Sequence, residues 1–227
     1  MAIEPAAFEV GMPRAFEIGD EAFAMYGGRA LHWPVADALL IADLHLGKGA
    51  VFRRAGLPVP RGGTAGDLAR LAALLARTRV ARLVILGDVL HGALHDDAGW
   101  REDWAAFRAQ HATLRIEAIV GNHDRALPTG ADALGLVLRD EGTAERGIAL
   151  CHEPEHAPPD RPSVSGHIHP AVAVPGLGRL PAFWWRARAR QLVLPAFSAF
   201  TGRGRVLAAP GDRLHACAGH AVLPAPA

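Results

Sequence analysis

The stretch Arg82-Leu-Val-Ile-Leu-Gly-Asp88 indicates the fold class of this chain. Four apolar residues, two of them β-branched, precede a glycine that permits a turn and then a carboxylate. A short run that is apolar on both faces is typical of a strand buried in the middle of a sheet. Ligands bind at the carboxyl ends of the strands in layered α/β folds, so Asp88 stands where a functional side chain is expected.

Four further strand-like runs end in polar residues of the same kind. They deliver Asp43 and His45, then Asn122, His123 and Asp124, then His152, and finally His167 and His169. Asp, Asn and His side chains provide the oxygen and nitrogen ligands that suit Mn²⁺, Fe²⁺ or Zn²⁺. Seven ligand candidates are too many for one ion but enough for two, if one carboxylate bridges them. Two ions about 3.5–4 Å apart would clamp a phosphoryl group and activate a water for attack on it.

The bulk properties of the chain fit one enzyme domain. Its 227 residues, half of them hydrophobic, predict a single domain over residues 1–227. The formal net charge of +1 neither indicates nor excludes a nucleic-acid partner. No apolar run approaches a membrane span, and the start Met1-Ala-Ile-Glu-Pro5 lacks the features of a signal peptide. We therefore expect a cytoplasmic protein without a membrane partner, in which Cys151 and Cys217 are buried and reduced.

The segments between the runs predict the remaining elements. Residues 8–35 read as an amino-terminal meander that ends in a strand over residues 30–33. Residues 47–63 are expected to form a long loop over the site, because Pro58 and Pro60 forbid a continuous helix. Thr64 begins a helix in which Asp67 completes a capping box, and Leu68, Leu71 and Leu75 share one face. A second helix over residues 100–111 has the apolar stripe Trp100, Trp104 and Phe107, which favours core packing over base stacking.

The second half of the chain predicts short strands separated by glycine and proline turns. We expect strands over residues 134–138, 172–174, 180–187, 191–194 and 206–207. Strand–helix alternation followed by an antiparallel stretch predicts an α/β protein with two sheets flanked by helices.

The site residues resemble the signature of the calcineurin-like metallophosphoesterases. All five blocks are present in the order of that family: Asp43-Leu-His45, Gly87-Asp88, Gly121-Asn-His-Asp124, His152 and Gly166-His-Ile-His169. The resemblance implies a four-layer α/β/β/α sandwich of two mixed sheets flanked by helices. It also implies two divalent metal ions, with Mn²⁺ expected first and Fe²⁺ or Zn²⁺ as alternatives.

The resemblance further implies a role for each site residue. Asp43, His45, Asp88 and His169 would hold the first ion, and Asp88, Asn122, His152 and His167 the second, with Asp88 shared. His123 would bind the phosphate and assist the leaving group, and Asp124 would orient the His123 imidazole.

A closer resemblance comes from the flanking sequences, among them Leu31-His-Trp-Pro34, Asp43-Leu-His-Leu-Gly-Lys48 and Leu194-Pro-Ala-Phe-Ser198. These are similar to the ligase-associated DNA damage response endonucleases of the PdeM group. The similarity implies a phosphodiesterase that cleaves DNA and is associated with ligase, helicase and exonuclease proteins of DNA repair. Two alternatives stay open at this point: the same chemistry on a small or cyclic nucleotide or a phosphomonoester, and a binding scaffold without turnover. A homodimer is also left open.

Basic side chains suggest where a substrate binds. Lys48, the only lysine, follows the first ligand block, and Arg53, Arg54 and Arg61 lie in the segment after it. These side chains are candidates for phosphate contacts, and a solvated loop face is the alternative. Alternating arginines near Trp184 and Trp185 suggest either a second nucleic-acid surface or a charged edge strand: Arg186, Arg188 and Arg190.

Overall fold

The first of two sheets contains three of the five strands that lead to the site. The computed structural model describes residues 8–91, 98–202 and 204–226, so the first residues, on which the expected localisation rests, lie outside it. Seven strands follow one another across this sheet: β1 (Arg14–Ile18), β2 (Glu21–Tyr26), β3 (Ala30–Trp33), β4 (Ala38–Ile41), β5 (Arg82–Leu86), β6 (Arg115–Ile119) and β7 (Val137–Arg139). β1 to β4 pair antiparallel, which confirms the predicted meander, and β4 to β7 pair parallel.

The second sheet contains the other two site strands. Its members are β8 (Thr143–Glu145), β9 (Ile148–Leu150), β10 (Ser163–Ser165), β11 (Pro170–Val174), β12 (Gly178–Arg186), β13 (Gln191–Val193), β14 (Gly204–Arg205), β15 (Arg213–Ala218) and β16 (Ala221–Ala225). The order is β14-β11-β12-β13-β10-β9-β8, and β15 pairs with β12 and β16. β9, β10 and β13 run parallel, whereas β12 is antiparallel to its neighbours.

In the described part of the chain, four α-helices accompany the sheets: α1 (Lys48–Arg54), α2 (Gly63–Thr78), α3 (Ala98–Gln110) and α4 (Leu127–Gly130). Short 3-10 helices cover Pro34–Ala36, Asp132–Leu134 and Pro154–His156. The predicted apolar faces of α2 and α3 are buried in one cluster with the strands of the first sheet, so both stripes belong to the core.

The central strands of the first sheet are buried on both faces. Leu39 and Ile41 face the helices, whereas Leu40 and Val84 face the second sheet. This alternation follows from the two-residue period of a strand and explains why the predicted runs are apolar throughout. Two mixed sheets with flanking helices, as predicted, are therefore confirmed. The outer face of the second sheet has a smaller apolar cluster around Trp184 and Leu214.

The segment predicted as a loop over residues 47–63 begins with helix α1, and this part of the prediction was wrong. Pro58 and Pro60 restrict only the backbone close to them, which leaves residues 48–54 free to form two helical turns. Helix α1 starts after Gly47, which has a φ of 80° and a position too close to the Trp100 ring for any side chain. Residues 55–62 then form the shorter loop.

The predicted capping box at the start of α2 was also wrong. The cap residue is Gly62, and no side chain caps the helix. Asp67 is buried, and its carboxylate accepts hydrogen bonds from the main-chain N–H of Ala199 and from Arg70. A long-range contact therefore replaces the predicted local one, and it attaches α2 to the segment that follows β13.

Some strand boundaries differ from the prediction. Leu134 belongs to a 3-10 helix, so β7 is shorter than the strand expected over residues 134–138. β14 covers two residues just before the strand expected at 206–207. The hairpin of β15 and β16 was not predicted. Cys151 and Cys217 are both buried free thiols.

None of the helices in the described ranges combines the length and the apolar content that a membrane span requires.

Candidate metal centre

The carboxyl ends of five strands meet at one edge of the two sheets. β4, β5 and β6 run parallel side by side, and β9 and β10 do so in the second sheet. A parallel bridge between Ala42 and Ala196 joins the sheets at this edge, where the N–H of Phe197 donates to the carbonyl of Ala42 across 2.7 Å. The turns after these strands therefore bring their side chains together, including all seven predicted ligands.

The first predicted ligand group is compact and buried. Donor atoms of Asp43, His45 and His169 all lie within 4.8 Å of one another, and His169 Nε2 is 3.3 Å from Asp43 Oδ1. Both ring nitrogens of His45 and the Nε2 of His169 lack a hydrogen-bond partner among the described residues. Buried polar atoms are normally paired, so unpaired nitrogens beside a carboxylate fit a metal ion as the missing partner.

The second predicted group converges on the side-chain oxygen of Asn122. His152 Nε2 lies 3.0 Å and His167 Nδ1 3.2 Å from Asn122 Oδ1, and the two ring nitrogens are 3.2 Å apart. The Nδ1 of His152 lies 3.0 Å from the carbonyl oxygen of Leu86. Donation from Nδ1 to that carbonyl leaves the lone pair of Nε2 directed at the group, as a metal-binding histidine requires.

Asp88 lies between the two groups. Its Oδ1 is 3.6 Å from His152 Nε2, and its Oδ2 is 3.8 Å from His45 Nε2. Each carboxylate oxygen thus faces one group, which is the arrangement that a bridging ligand needs. The residues therefore fit two divalent ions. Ligation by these seven side chains stays a prediction.

The surroundings of His45 keep its imidazole in the neutral form that can bind a cation. Burial, followed by the neighbouring Lys48 and His169, lowers the pKa of His45 to about 2, so its imidazole is neutral. Burial raises the pKa of Asp88, and the nearby His152 opposes that shift. A neutral imidazole beside a buried carboxylate offers lone pairs without the charge repulsion of an imidazolium.

The backbone at the candidate ligands adopts a conformation that is rare outside glycine. Five of them have φ values between 49° and 68°: Asp43, His45, Asp88, His167 and His169. Each such residue costs about 1–2 kcal/mol relative to an ordinary conformation. Strain of this kind clusters at functional sites, where it turns side chains toward a ligand.

Two glycines leave the space that the ligands occupy. A Cβ atom at Gly87 would overlap the ring of His152, and one at Gly121 would overlap the carboxylate and main-chain N–H of Asp88. Glycine therefore precedes Asp88 and Asn122 for reasons of space, and at Gly87 also because φ is 76°.

His123 lies beside the ligand groups with an exposed side chain. Its ring stacks on His91 with the centroids 4.8 Å apart, and it lies 5.6 Å from the ring of His45. His91 in turn stacks on Phe52 of α1. The sequence prediction did not include His91 in the site. Its position three residues after Asp88, in the same turn, is the signal that would have found it.

The predicted role of Asp124 as the partner of the His123 imidazole does not agree with the structure. The buried Asp124 carboxylate accepts main-chain N–H groups from Gly121 (2.9 Å), Val89 (3.1 Å) and Leu90 (2.7 Å). It therefore joins the turn after β5 to the turn after β6. Burial raises its pKa to about 6, and the three hydrogen bonds partly oppose the shift.

A second residue absent from the prediction is Glu153. Its carboxylate lies within 4.8 Å of the donor atoms of His152 and His167. The residue directly follows a predicted ligand, which was a usable signal.

The predicted substrate-binding residues Lys48, Arg53 and Arg54 line a pocket of about 770 Å³ that also reaches His45. Arg53 donates to the carbonyl of Pro60 across 3.2 Å. The arginine-rich end of β12 is elsewhere, because Arg186 pairs with Gln191 at the start of β13, and Gln191 pairs with Ser163 at the start of β10. It therefore lies at the edge of the sheet opposite to the ligands.

The fold and the site together define a metallophosphoesterase. Two mixed sheets gather histidine, aspartate and asparagine side chains at the ends of adjacent strands, with no thiolate among them. The sequence matches the family model described as calcineurin-like phosphoesterase over residues 37–165, more than half of the chain, and the protein belongs to this family. It is a hydrolase of phosphoester bonds, in a family that uses divalent metal ions.

A solved structure with this fold is that of the Pseudomonas putida nuclease MPE. The two sequences are 32% identical, the TM-score is 0.78, and the match covers 94% of this chain and 100% of that one. Comparison with curated proteins gave no match. The sequence resemblance to the calcineurin-like family is thus confirmed, and the similarity to a nuclease agrees with the closer resemblance.

Proposed function

We propose that the protein is a two-metal phosphodiesterase that cleaves nucleic acid. The observation that supports it best is the position of Asp88, whose two oxygens face different ligand groups at 3.6 and 3.8 Å. A shared carboxylate is what holds two ions at the short separation that phosphodiester hydrolysis needs. Similarity to a nuclease over nearly the whole chain supports a nucleic-acid substrate.

The proposed ligands divide as the sequence predicts. Asp43, His45 and His169 complete the first site and Asn122, His152 and His167 the second, with Asp88 shared. Two divalent ions, Mn²⁺ by our expectation, would neutralise charge on the phosphoryl oxygens and activate the attacking water. Glu153 is placed to accept a hydrogen bond from a group bound at the second site.

The side chain of His123 protonates the leaving oxygen. As water attacks phosphorus and gives up one proton to solvent, the bond from phosphorus to the ester oxygen breaks, and that oxygen takes a proton from the His123 ring, which solvent then reprotonates. The products are a phosphomonoester and an alcohol. His91 holds the His123 ring by stacking, and Asp124 fixes the turn that carries it, so both act as positioning residues.

The test is a substrate panel with Mn²⁺-loaded enzyme: single-stranded DNA, duplex DNA, RNA, cyclic nucleotides and small aryl mono- and diesters. We expect cleavage of nucleic acid and of aryl diesters, and little hydrolysis of monoesters. Turnover of cyclic nucleotides or monoesters without any cleavage of polymer would instead assign a small-molecule phosphoesterase. The association with DNA-repair ligase, helicase and exonuclease proteins stays a prediction from sequence resemblance.

A further inference from the structure

A pocket of about 770 Å³ opens beside the candidate metal centre. One wall includes His45, a proposed ligand of the first ion, and Lys48, a half-buried lysine whose charge interacts with Asp43 and Asp88. The pocket and the metal centre are therefore parts of one continuous site. Its volume lies within the range of about 300–1,000 Å³ that is usual for small-ligand pockets. It holds more than the single phosphoryl group that the metals would occupy.

The lining of the pocket favours an anion. Four of its side chains are cationic (Lys48, Arg53, Arg54 and Arg61) and two are acidic (Asp67 and Asp103). One of the two carboxylates is already neutralised, because Asp67 forms a 2.8 Å ion pair with Arg70. The remaining charge is positive, as a second phosphate of the substrate would require.

The rim of the pocket contains an exposed aromatic ring. Phe200 is 38% exposed, although hydrogen bonds fix the main chain around it. The N–H of Ala199 donates to buried Asp67, and the N–H of Phe200 donates to the hydroxyl of Ser198. Phe52 contacts the ring edge to face, with centroids 5.5 Å apart. A fixed, exposed aromatic ring beside cationic groups is the combination on which nucleic-acid bases stack.

We propose that this pocket binds the nucleotide next to the scissile phosphodiester, with that nucleotide's phosphate at Arg61 and Arg53 and its base on Phe200. The assignment rests on the proposed nuclease function and deepens it, because it makes the substrate a strand with at least one further nucleotide. A simple aryl diester fills the metal centre and leaves the pocket empty.

The first test is Arg61→Ala. Arg61 is exposed, and no hydrogen bond or ion pair holds it in the described parts of the chain, so the fold should tolerate the change. With Mn²⁺-loaded enzyme, we expect kcat/KM of Arg61→Ala for an oligothymidylate of twelve nucleotides to be about tenfold below that of the wild type. The slope of log(kcat/KM) against log[KCl] should become shallower by about 0.7, the value for one lost contact to a single-strand phosphate. Arg79→Ala, an exposed arginine at the end of helix α2 farthest from the pocket, is the matched control and should change neither quantity.

The second test is Phe200→Ala. Loss of one stacked base should lower kcat/KM for the same oligonucleotide by about 5- to 150-fold while the salt slope stays as in the wild type. For both variants, the loss on the oligonucleotide should exceed the loss on bis(4-nitrophenyl) phosphate at least fivefold.

Equal losses on the two substrates, or an unchanged salt slope in Arg61→Ala, would overturn the assignment of the pocket while leaving the nuclease function in place. Wild-type enzyme that hydrolyses the aryl diester but no oligonucleotide would instead remove the nuclease function, and the pocket assignment with it.

Discussion

The main-chain N–H of His123 donates a hydrogen bond to Asp88 Oδ1 across 2.9 Å. The turn that carries the candidate acid is thereby attached to the candidate bridging carboxylate. Because the bond uses the backbone, it fixes the position of His123 relative to both ligand groups whatever side chain residue 123 carries. Substitutions of this histidine therefore separate proton transfer from metal binding.

His123→Ala should lower kcat on DNA by about 10²- to 10⁴-fold, the usual contribution of a general acid. Metal content should stay at the wild-type value, because the His123 ring is in neither ligand group and its N–H still bonds to Asp88. Steady-state kinetics and elemental analysis of the same preparation measure both quantities.

The leaving group provides the control for this variant. A 4-nitrophenyl diester should lose much less activity than DNA, since nitrophenolate departs without being protonated. Loss of metal from His123→Ala would contradict the assignment and would mean that this histidine is a ligand.

Asp124→Ala should lower the free energy of unfolding by about 3 kcal/mol or more. The change leaves the buried N–H groups of Gly121, Val89 and Leu90 without their acceptor, and each unpaired buried group costs about 1–3 kcal/mol. Urea unfolding followed by circular dichroism measures the effect. Asp140→Ala, at an exposed aspartate, is the control and should change stability by less than about 0.5 kcal/mol. Equal stability of the two variants would show that Asp124 does not hold the turns together.

Asp88 and Asp124 illustrate what the sequence could and could not predict. The strand ends were predictable, because a strand buried on both faces has a continuous apolar run, and the ligands lie within a few residues of its end, as Asp88 does after Leu83–Leu86 and Gly87. The partners of Asp124 were not, because Val89 and Leu90 are 35 and 34 residues away and contribute main-chain atoms, which have no signature in the sequence.

Long-range contacts explain the other differences too. Asp67 has the spacing of a helix cap, but its carboxylate bonds to Ala199, 132 residues further along the chain. The stack of Phe52, His91 and His123 combines three separate segments. The short helix α1 lies in a segment for which Pro58 and Pro60 predict a loop, because a proline restricts the backbone only at its own position and at the residue before it.

Gly87→Ala and Gly147→Ala form a matched pair. Both glycines have positive φ values, 76° and 81°, so alanine at either position should cost about 1–2 kcal/mol of stability. Only the new Cβ at position 87 meets another group, the His152 ring, whereas position 147 faces open space. Metal titration should show weakened binding of one ion in Gly87→Ala and wild-type binding in Gly147→Ala. Matching titrations would mean that His152 is not a ligand.

A network of charged side chains away from the site should make the free energy of unfolding depend on pH at low pH. Arg82 and Arg139 each bond to both Glu117 and Glu145, at 2.8–3.1 Å for the closest contacts. The hydrogen bond from Arg82, with help from Arg139, lowers the pKa of Glu145 from its ordinary 4.5 to about 2. A lowered pKa gives stability that is complete above pH 4.5 and is lost as the pH falls toward 2.

Glu145→Gln removes this titration. Urea unfolding at a series of pH values should show the wild type more stable than the variant by about 1–2 kcal/mol near neutral pH, because solvent screens this partly exposed pair and reduces the effect of the full pKa shift. The difference should shrink steadily below pH 4.5. A difference that is constant with pH would contradict the role of the network.

The metal content of Asp88→Asn tests the central claim most directly. Wild-type protein and the variant are loaded with Mn²⁺, freed of excess metal by gel filtration and measured by elemental analysis. Asp20→Asn, at an exposed aspartate in the turn between β1 and β2, serves as the control. If Asp88 is the shared ligand, the wild type and the control should retain two ions per chain, and Asp88→Asn should lose metal from both sites, to less than one ion per chain. Two ions retained by Asp88→Asn, or a single ion in the wild type, would contradict a two-metal centre bridged by Asp88.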